Sequence, residues 1–132
     1  MRRILLPLVI LGLVAAACGT ATETGIQTVS AQDAYAITSA PPADLVVLDV
    51  RTPDEFNEGH LANAINIDFY APDFSANLAA LDKDVPYVLY CRSGSRSGTT
   101  AQEMQSLGFA EVYEVDGGIV SWLNSGLPLA DS

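Results

Sequence analysis

The chain has 132 residues and a formal net charge of −10, because 16 acidic side chains outnumber 6 basic ones. A protein this anionic repels phosphate backbones and anionic lipid headgroups, which argues against nucleic-acid binding and against a basic membrane-binding surface. The hydrophobic fraction of 49% and the charged fraction of 17% are typical of one packed globular domain.

Residues 1–17 have the three-part layout of a secretory signal peptide. A basic start containing Arg2 and Arg3 precedes an apolar run over residues 4–14, and the small residues 15–17 follow it. The apolar run is shorter than the roughly 18 residues that a membrane-spanning helix needs. We therefore predict that the protein is exported and that residues 1–17 are removed.

The end of this leader, Val-Ala-Ala-Ala-Cys over residues 14–18, resembles a bacterial lipobox. The resemblance implies that Cys18 becomes the lipidated first residue of a lipoprotein held to the membrane by its N-terminal lipid anchor, facing the periplasm or the cell exterior. Ala15 and Ala17 also suit ordinary signal peptidase, whose product would be a soluble exported protein. Residues 18–26 are interpreted as the lipidated cysteine and a flexible tether, and residues 27–130 as the folded domain.

The mature part alternates strand and helix patterns. Apolar runs at residues 45–48 and 85–90 predict strands buried on both faces of a parallel sheet, and residues 64–67 and 111–115 predict two more strands. The sequence therefore predicts an α/β domain whose central sheet is mainly parallel and flanked by helices.

Helix signals lie between these strands. Ser30 opens one predicted helix, and Thr52, followed by proline and then glutamate at the third helical position, opens another with a capping box. Apolar spacing predicts further helices over residues 98–107 and 118–124, the former stopped by Gly108.

Two of the predicted strands end in residues that can carry chemistry. Asp49 and Arg51 follow the strand at 45–48, and Cys91 and Arg92 follow the strand at 85–90. Sites in parallel sheets collect at the carboxyl ends of strands. We interpret Asp49 and Arg51 as supporting residues, an ion pair or clamp that holds neighbouring loops.

The cysteine count narrows the chemistry. Cys18 and Cys91 are the only cysteines, so acylation of Cys18 would leave one thiol and no internal disulfide. One cysteine and the single histidine, His60, cannot build a structural zinc site, and no C-x-x-C pair is present for dithiol chemistry. For a lone cysteine, the simplest interpretation is a small buried hydrophobe, unless its neighbours favour reactivity.

The neighbours of Cys91 do favour reactivity. Cys91 begins the loop Cys-Arg-Ser-Gly-Ser-Arg over residues 91–96, whose glycine and serines suit a tight turn with converging backbone N–H groups. The following helix N-terminus and the cations of Arg92 and Arg96 favour the thiolate, which is the nucleophilic form. Arg92 and Arg96 are also candidates for binding an anion, with Arg96 the stronger of the two.

Several ordered motifs together resemble a single-domain rhodanese, over about residues 27–129. These motifs are residues 48–56, residues 58–67, the Cys91 loop, and Gly117-Gly118 followed by Trp122. The resemblance implies a three-layer rhodanese-like fold and a sulfurtransferase that needs no metal and no organic cofactor.

In such an enzyme Cys91 would be the catalytic residue, taking sulfane sulfur as a persulfide and passing it on. The resemblance implies a small anionic donor such as thiosulfate or polysulfide, and a thiol, cyanide or a sulfur-accepting protein partner as acceptor. The loop would bind the substrate with Arg92, Ser93, Gly94, Ser95 and Arg96.

Two alternatives remain at this point. Cysteine phosphatases and arsenate reductases use C-x5-R loops, whereas Cys91 and Arg96 form C-x4-R, a shorter cradle that suits a single sulfur atom better than a phosphoryl group. A sulfur-carrier or protein-binding module with no small-molecule turnover would have nearly the same sequence.

Overall fold

The structure is a computed structural model and describes residues 25–131. These residues form alternating strands and helices: β1 (Gly25–Val29), α1 (Ala31–Ser39), β2 (Val46–Asp49), α2 (Pro53–Glu58), β3 (Ala64–Asn66), α3 (Phe74–Ala79), β4 (Pro86–Tyr90), α4 (Ser95–Leu107), β5 (Glu111–Val115) and α5 (Gly118–Asn124).

The strands form one five-stranded sheet in the order β1-β5-β4-β2-β3, with every pairing parallel. The predicted α/β class with a mainly parallel, helix-flanked sheet is confirmed. In the register, Leu48 of β2 lies opposite Leu89 of β4, and Thr28 of β1 lies opposite Glu114 of β5. The central strand β4 is the most buried one, as its near-continuous apolar sequence predicts.

Helices cover both faces of the sheet. One face packs against α3 and α4 through Phe74, Leu78 and Met104, and the other packs against α1 and α5 through residues such as Ala34 and Trp122. Side chains alternate between these faces along a strand, so Leu89 belongs to the first cluster and Tyr90 to the second. This layering is the three-layer arrangement that the resemblance implies.

The predicted helix caps are present. The Ser30 hydroxyl accepts from the Asp33 backbone N–H at 3.0 Å. Thr52 and Glu55 form a capping box at α2: the Thr52 hydroxyl accepts from the Glu55 backbone N–H, and the Glu55 carboxylate accepts from the Thr52 backbone N–H at 2.9 Å.

Three elements differ from the sequence-based prediction. β1 starts at Gly25, so Gly25 and Ile26 belong to the sheet, although the tether prediction included them. α3 was not predicted, and α4 begins at Ser95 rather than at residue 98. The early start places Arg96 and Ser97 in the first turn of α4 instead of in the loop.

No helix within residues 25–131 is long and apolar enough to cross a membrane. The leader, Cys18 and most of the predicted tether lie outside the described residues. Their assignment as signal peptide and lipid anchor stays a prediction.

Candidate active site

Cys91 lies where the chain leaves the central strand. It immediately follows β4, and α4 begins four residues later at Ser95. β4 and β2 are neighbours, but the chain leaves β4 toward β5 and leaves β2 toward β3. Such a divergence opens a crevice at the carboxyl ends of the two strands. Cys91 and Arg51 therefore lie at the edge of the sheet where a site is expected.

The Cys91 sulfur is held by hydrogen-bond donors. The Gly94 backbone N–H donates to Sγ at 3.1 Å, and the Ser97 hydroxyl oxygen lies 3.3 Å from Sγ. Burial favours the neutral thiol, but the Ser97 hydroxyl and the N–H groups of Ser97, Gly94 and Ser93 outweigh it and lower the pKa of Cys91 below its ordinary value. The arrangement stabilises a sulfur anion, as an anion nest would.

Gly94 makes the turn between the strand and the helix. It is the N-cap of α4 and has φ of +105°, a left-handed conformation that glycine adopts without strain. This turn aims the first N–H groups of α4 at Sγ. The glycine of the loop is therefore required by backbone geometry.

The outer side of the loop is anchored by the start of α5. The backbone N–H of Ile119 donates to the Cys91 carbonyl oxygen at 2.9 Å, and that of Val120 donates to the Arg92 carbonyl oxygen at 3.1 Å. Gly118 allows this approach, because a Cβ built on it would overlap both carbonyl oxygens. With these carbonyls held outside, the N–H groups of the loop are free to face the sulfur.

Arg96 is fixed by a carboxylate. Its guanidinium makes two parallel hydrogen bonds to Glu55, Nη1 to Oε2 at 2.7 Å and Nη2 to Oε1 at 2.9 Å, and lies 5.6 Å from the centre of the Tyr70 ring. The Arg96 hydrogen bonds, reinforced by those from Thr52, lower the pKa of Glu55 to about 2, against the opposing effect of burial. The Arg96 charge also acts on Cys91, and it belongs to a guanidinium already ordered by Glu55.

The remaining loop side chains face outward. Arg92, Ser93 and Ser95 are exposed, and no hydrogen bond among residues 25–131 uses the Arg92 guanidinium. Cys91 itself is 1% exposed. Of the two predicted anion-binding arginines, Arg92 is therefore the one whose donors are available to solvent.

Asp49 and Arg51 form the predicted clamp. Both side chains are buried. The Arg51 guanidinium donates to the Asp49 carboxylate at 2.7 Å and to the Gly59 carbonyl oxygen at 2.7 Å. The Tyr90 hydroxyl donates to Asp49 at 2.6 Å and accepts from the Leu61 backbone N–H at 3.1 Å. The pair thus ties the loops after β2 and α2 to the residue that precedes Cys91, while burial and Asp49 raise the pKa of Tyr90.

Glu55, Tyr90 and Glu114 contact the site, although the sequence pattern predicts no functional role for them. The signal for Glu114 was available in the strand pattern, because alternation along β5 places it on the same face as Val112, which is fully buried. The signal for Tyr90 was its place at the buried end of a strand, where a hydroxyl needs a partner. The Arg96–Glu55 pair joins residues 41 positions apart and had no local signal.

His60 and Trp122 have structural roles outside the Cys91 loop. His60 Nδ1 lies 3.0 Å from the Phe56 carbonyl oxygen, and the two rings stack. The Trp122 indole N–H donates to the Pro128 carbonyl oxygen at 2.9 Å, and the ring is buried.

A cavity of about 210 Å³ lies on the face covered by α1 and α5, lined by residues that include Tyr35, Leu61 and Trp122. Cys91 packs in the cluster on the other face, so this cavity is separate from the loop. Within the part of the chain that the structure describes, no group of three histidine, cysteine, aspartate or glutamate residues is placed to hold a metal ion.

Comparison with known proteins gives a consistent result. The family model "Rhodanese-like domain" matches residues 30–125. A protein named sulfurtransferase from Allochromatium vinosum is 31% identical over 90 residues, covering 68% of this chain and 82% of that protein. The thiosulfate sulfurtransferase GlpE of Stutzerimonas stutzeri is 37% identical over 81 residues, covering 61% of this chain and 72% of that protein.

A solved structure matches the same region. The crystal structure of a rhodanese-related protein from Thermoplasma volcanium superimposes with a TM-score of 0.69 at 33% identity, covering 79% of this chain and 97% of that one. The likeness thus extends over most of the sheet, its helices and the Cys91 loop.

Proposed function

This chain belongs to the rhodanese-like domain family, and on that premise we propose that it moves sulfane sulfur through a persulfide on Cys91. The observation that carries the proposal is the sulfur site itself: Sγ at the end of β4 accepts from the Gly94 N–H at 3.1 Å and lies 3.3 Å from the Ser97 hydroxyl. The same donors that hold a thiolate can hold the terminal sulfur anion of a persulfide.

We propose thiosulfate or a polysulfide as the donor. The Cys91 thiolate attacks the outer sulfur of thiosulfate, a new S–S bond forms, and sulfite leaves with the electron pair of the broken S–S bond. Cyanide or a thiolate then takes the outer sulfur, and Cys91 leaves as a thiolate again. Arg92, exposed beside the loop, attracts the anionic donor, and no metal or organic cofactor takes part in either step.

The supporting residues act by holding this geometry. Arg96 keeps its positive charge near Cys91 because Glu55 orders the guanidinium. Asp49 and Arg51 hold the loops around Tyr90, the residue before Cys91. Ser93 contributes its backbone N–H to the sulfur site, and the Ser93 and Ser95 side chains are exposed at the entrance.

The test is sulfur transfer by the full chain in a Cys18→Ser background, where Cys91 is the only cysteine. We expect incubation with thiosulfate or polysulfide to add the mass of one sulfur atom and to support saturable turnover with cyanide. Cys91→Ser should abolish both signals, and Lys83→Ala, which removes a cation near α3, should retain them.

Other outcomes would redirect the proposal. A sulfur adduct without saturable turnover would favour the sulfur-carrier module over the enzyme. Hydrolysis of a phosphate ester without any sulfur adduct would contradict the proposal in favour of a cysteine phosphatase.

We further propose that the protein is exported and anchored through an acylated Cys18. Support comes from the basic start, the apolar run over 4–14 and the lipobox-like residues 14–18. Mass analysis of the N-terminal peptide from the membrane fraction should show acyl chains on Cys18, and an unmodified mature N-terminus would contradict the anchor.

A further inference from the structure

A buried carboxylate lies behind the catalytic sulfur. Ser97 Oγ is 3.3 Å from Cys91 Sγ and 2.5 Å from Glu114 Oε1, so one hydroxyl bridges the thiol and the carboxyl group. The exposed fractions of Cys91, Ser97 and Glu114 are 1%, 0% and 6%. The three groups therefore form a continuous hydrogen-bonded chain that is closed to water.

The position of Glu114 is unusual for a glutamate. It lies on β5, in the middle of a parallel sheet, opposite Thr28 of β1. No lysine or arginine within residues 25–131 forms an ion pair with it, since the ion pairs of that region are Arg51–Asp49 and Arg96–Glu55. A buried carboxylate without a cation is costly, and such a group takes up a proton more readily than one in water.

The Ser97 hydroxyl has a single proton, and this restricts the hydrogen-bonded chain to two arrangements of its protons. In one, the Cys91 thiol donates to Ser97 Oγ and the Ser97 hydroxyl donates to an ionised Glu114. In the other, protonated Glu114 donates to Ser97 Oγ and the Ser97 hydroxyl donates to the Cys91 thiolate. The two arrangements have the same number of protons and differ only in which end carries the negative charge.

We propose that Glu114 is a positioning residue that holds the proton of the Cys91 thiol, which reaches it through the Ser97 hydroxyl. The inference deepens the proposed sulfur transfer and rests on it for its biological role. Ser97 touches the reacting sulfur and relays the proton, and Glu114 acts only through Ser97.

The proton cycle closes over one turnover. During loading, Cys91–SH, ionised Glu114 and thiosulfate give the Cys91 persulfide anion, protonated Glu114 and sulfite. During discharge, cyanide takes the outer sulfur as thiocyanate, and protonated Glu114 returns its proton through Ser97 to the departing Sγ. Each step conserves charge and atoms, and no proton has to pass through solvent.

The environments of Glu114 and Cys91 both favour a proton shared between them. Burial and the charge of Asp116 raise the pKa of Glu114, against hydrogen bonds from Ser97 and Thr28, whereas the donors around Sγ lower that of Cys91. Arg96, held by Glu55, adds a positive charge near the sulfur. The two pKa values thus move toward each other, which is the condition for a proton shared between two groups.

The test follows Cys91 and Glu114, the two ends of the hydrogen-bonded chain, in the full-length Cys18→Ser protein without any sulfur donor. The Cys91 thiolate is followed by its alkylation rate with iodoacetamide as a function of pH, and the Glu114 carboxyl group by carbon-13 NMR of glutamate-labelled protein. We expect each group to titrate in two steps at the same two pH values, separated by at least about one pH unit. In Glu114→Gln the thiol should titrate in one step, and in Cys91→Ala the carboxyl should do so at lower pH.

Two controls isolate the relay. Glu111→Gln removes the same charge from the other end of β5 and should leave the two-step thiol profile unchanged. Ser97→Ala removes the bridging hydroxyl and should give one step for each group. A two-step profile that survives Ser97→Ala would overturn the role of Ser97.

The wild-type NMR titration decides the question even if a variant fails to fold. A Glu114 carboxyl that titrates in a single step in the wild-type protein would overturn the proposal. Because no donor is present, this outcome is distinct from a failure of sulfur transfer.

Discussion

Glu55 combines a helix cap with an ion pair. Its Oε2 accepts from the Thr52 backbone N–H and hydroxyl, and the carboxylate also takes two hydrogen bonds from Arg96. The start of α2 and the first turn of α4 are therefore joined by one side chain. The position of the Arg96 guanidinium therefore depends on a residue 41 positions away in the chain.

Glu55 should make stability sensitive to acid. Its pKa is lowered from 4.5 to about 2, so the stabilisation from its ionised form is complete above the unfolded pKa and is lost as the pH falls toward 2. Glu55→Gln keeps the capping hydrogen bonds but removes the charge, and we expect it to cost about 1 kcal/mol at neutral pH and less at pH 2. Urea unfolding between these pH values measures the difference.

The matched control is Glu103→Gln on α4, which removes one negative charge without touching Arg96. Parallel pH profiles for Glu55→Gln and the unchanged protein would mean that the Glu55–Arg96 pair contributes nothing to stability.

At the scale of elements, the sequence predicts those with local signals and misses those formed by tertiary contacts. Thr52, with the residues that follow it, specifies α2 by capping alone. α3 has no side-chain cap bond at Asp73, and the burial of Phe74 and Leu78 accounts for it. α4 begins early because Gly94, which is not a side-chain cap, turns the chain into the helix.

The same distinction applies to the site. The loop over residues 91–96 was predictable because it is contiguous, and its thiolate-stabilising character followed from residue types. The partners on other elements, Glu55 and Glu114, are brought near by the fold. The strand pattern indicates that Glu114 is buried but not that it approaches Cys91, and no local signal indicates the Arg96–Glu55 pair. Arg92, whose guanidinium has no hydrogen-bond partner within residues 25–131, could be distinguished from Arg96 only once the Glu55 contact was known.

Gly118 allows a test of how the start of α5 positions the Cys91 loop. With φ of +58° and a Cβ position that overlaps the Cys91 and Arg92 carbonyl oxygens, Gly118→Ala should destabilise the protein by about 3 kcal/mol and displace the loop. Urea unfolding gives the stability, and the alkylation rate of Cys91 reports on the loop.

Gly108→Ala is the comparison, because Gly108 has φ of +87° but nothing within 4 Å of a Cβ placed on it. We expect about 1 kcal/mol for that backbone strain and an unchanged alkylation rate. Equal losses at the two glycines would show that close approach to the loop is not what Gly118 provides.

At the scale of the whole molecule, the clamp of Asp49 and Arg51 connects parts that are distant in sequence. Through Tyr90 and the carbonyl of Gly59 it links β2, the end of α2 and the end of β4. The Asn66 amide adds β3 by donating to the backbone oxygens of Asp49 and Arg51. One buried ion pair thus sets the position of three strand ends beside the site.

Removing one charge of the Asp49–Arg51 pair should destabilise the protein more than removing both charges. Arg51→Met leaves Asp49 as a buried, unpaired anion, and we expect a loss of about 4 kcal/mol in the free energy of unfolding. The double variant Asp49→Asn, Arg51→Met removes both charges and should be more stable than Arg51→Met alone. Urea unfolding of Arg51→Met, Asp49→Asn and the double variant tests this, and costs of the two single variants that simply add in the double variant would contradict the clamp.

The alternation along β4 has a consequence for how the protein tolerates changes of length. Tyr90 packs with the α1 and α5 face and Cys91 with the α3 and α4 face, although they are neighbours in the chain. Deleting or inserting one residue within β4 would turn Cys91 toward the clamp side and Tyr90 toward the loop. β4 pairs on both edges and cannot slide to compensate. We therefore expect one-residue insertions and deletions to be tolerated in the surface loops but not within β4, even at positions of β4 where single substitutions are tolerated.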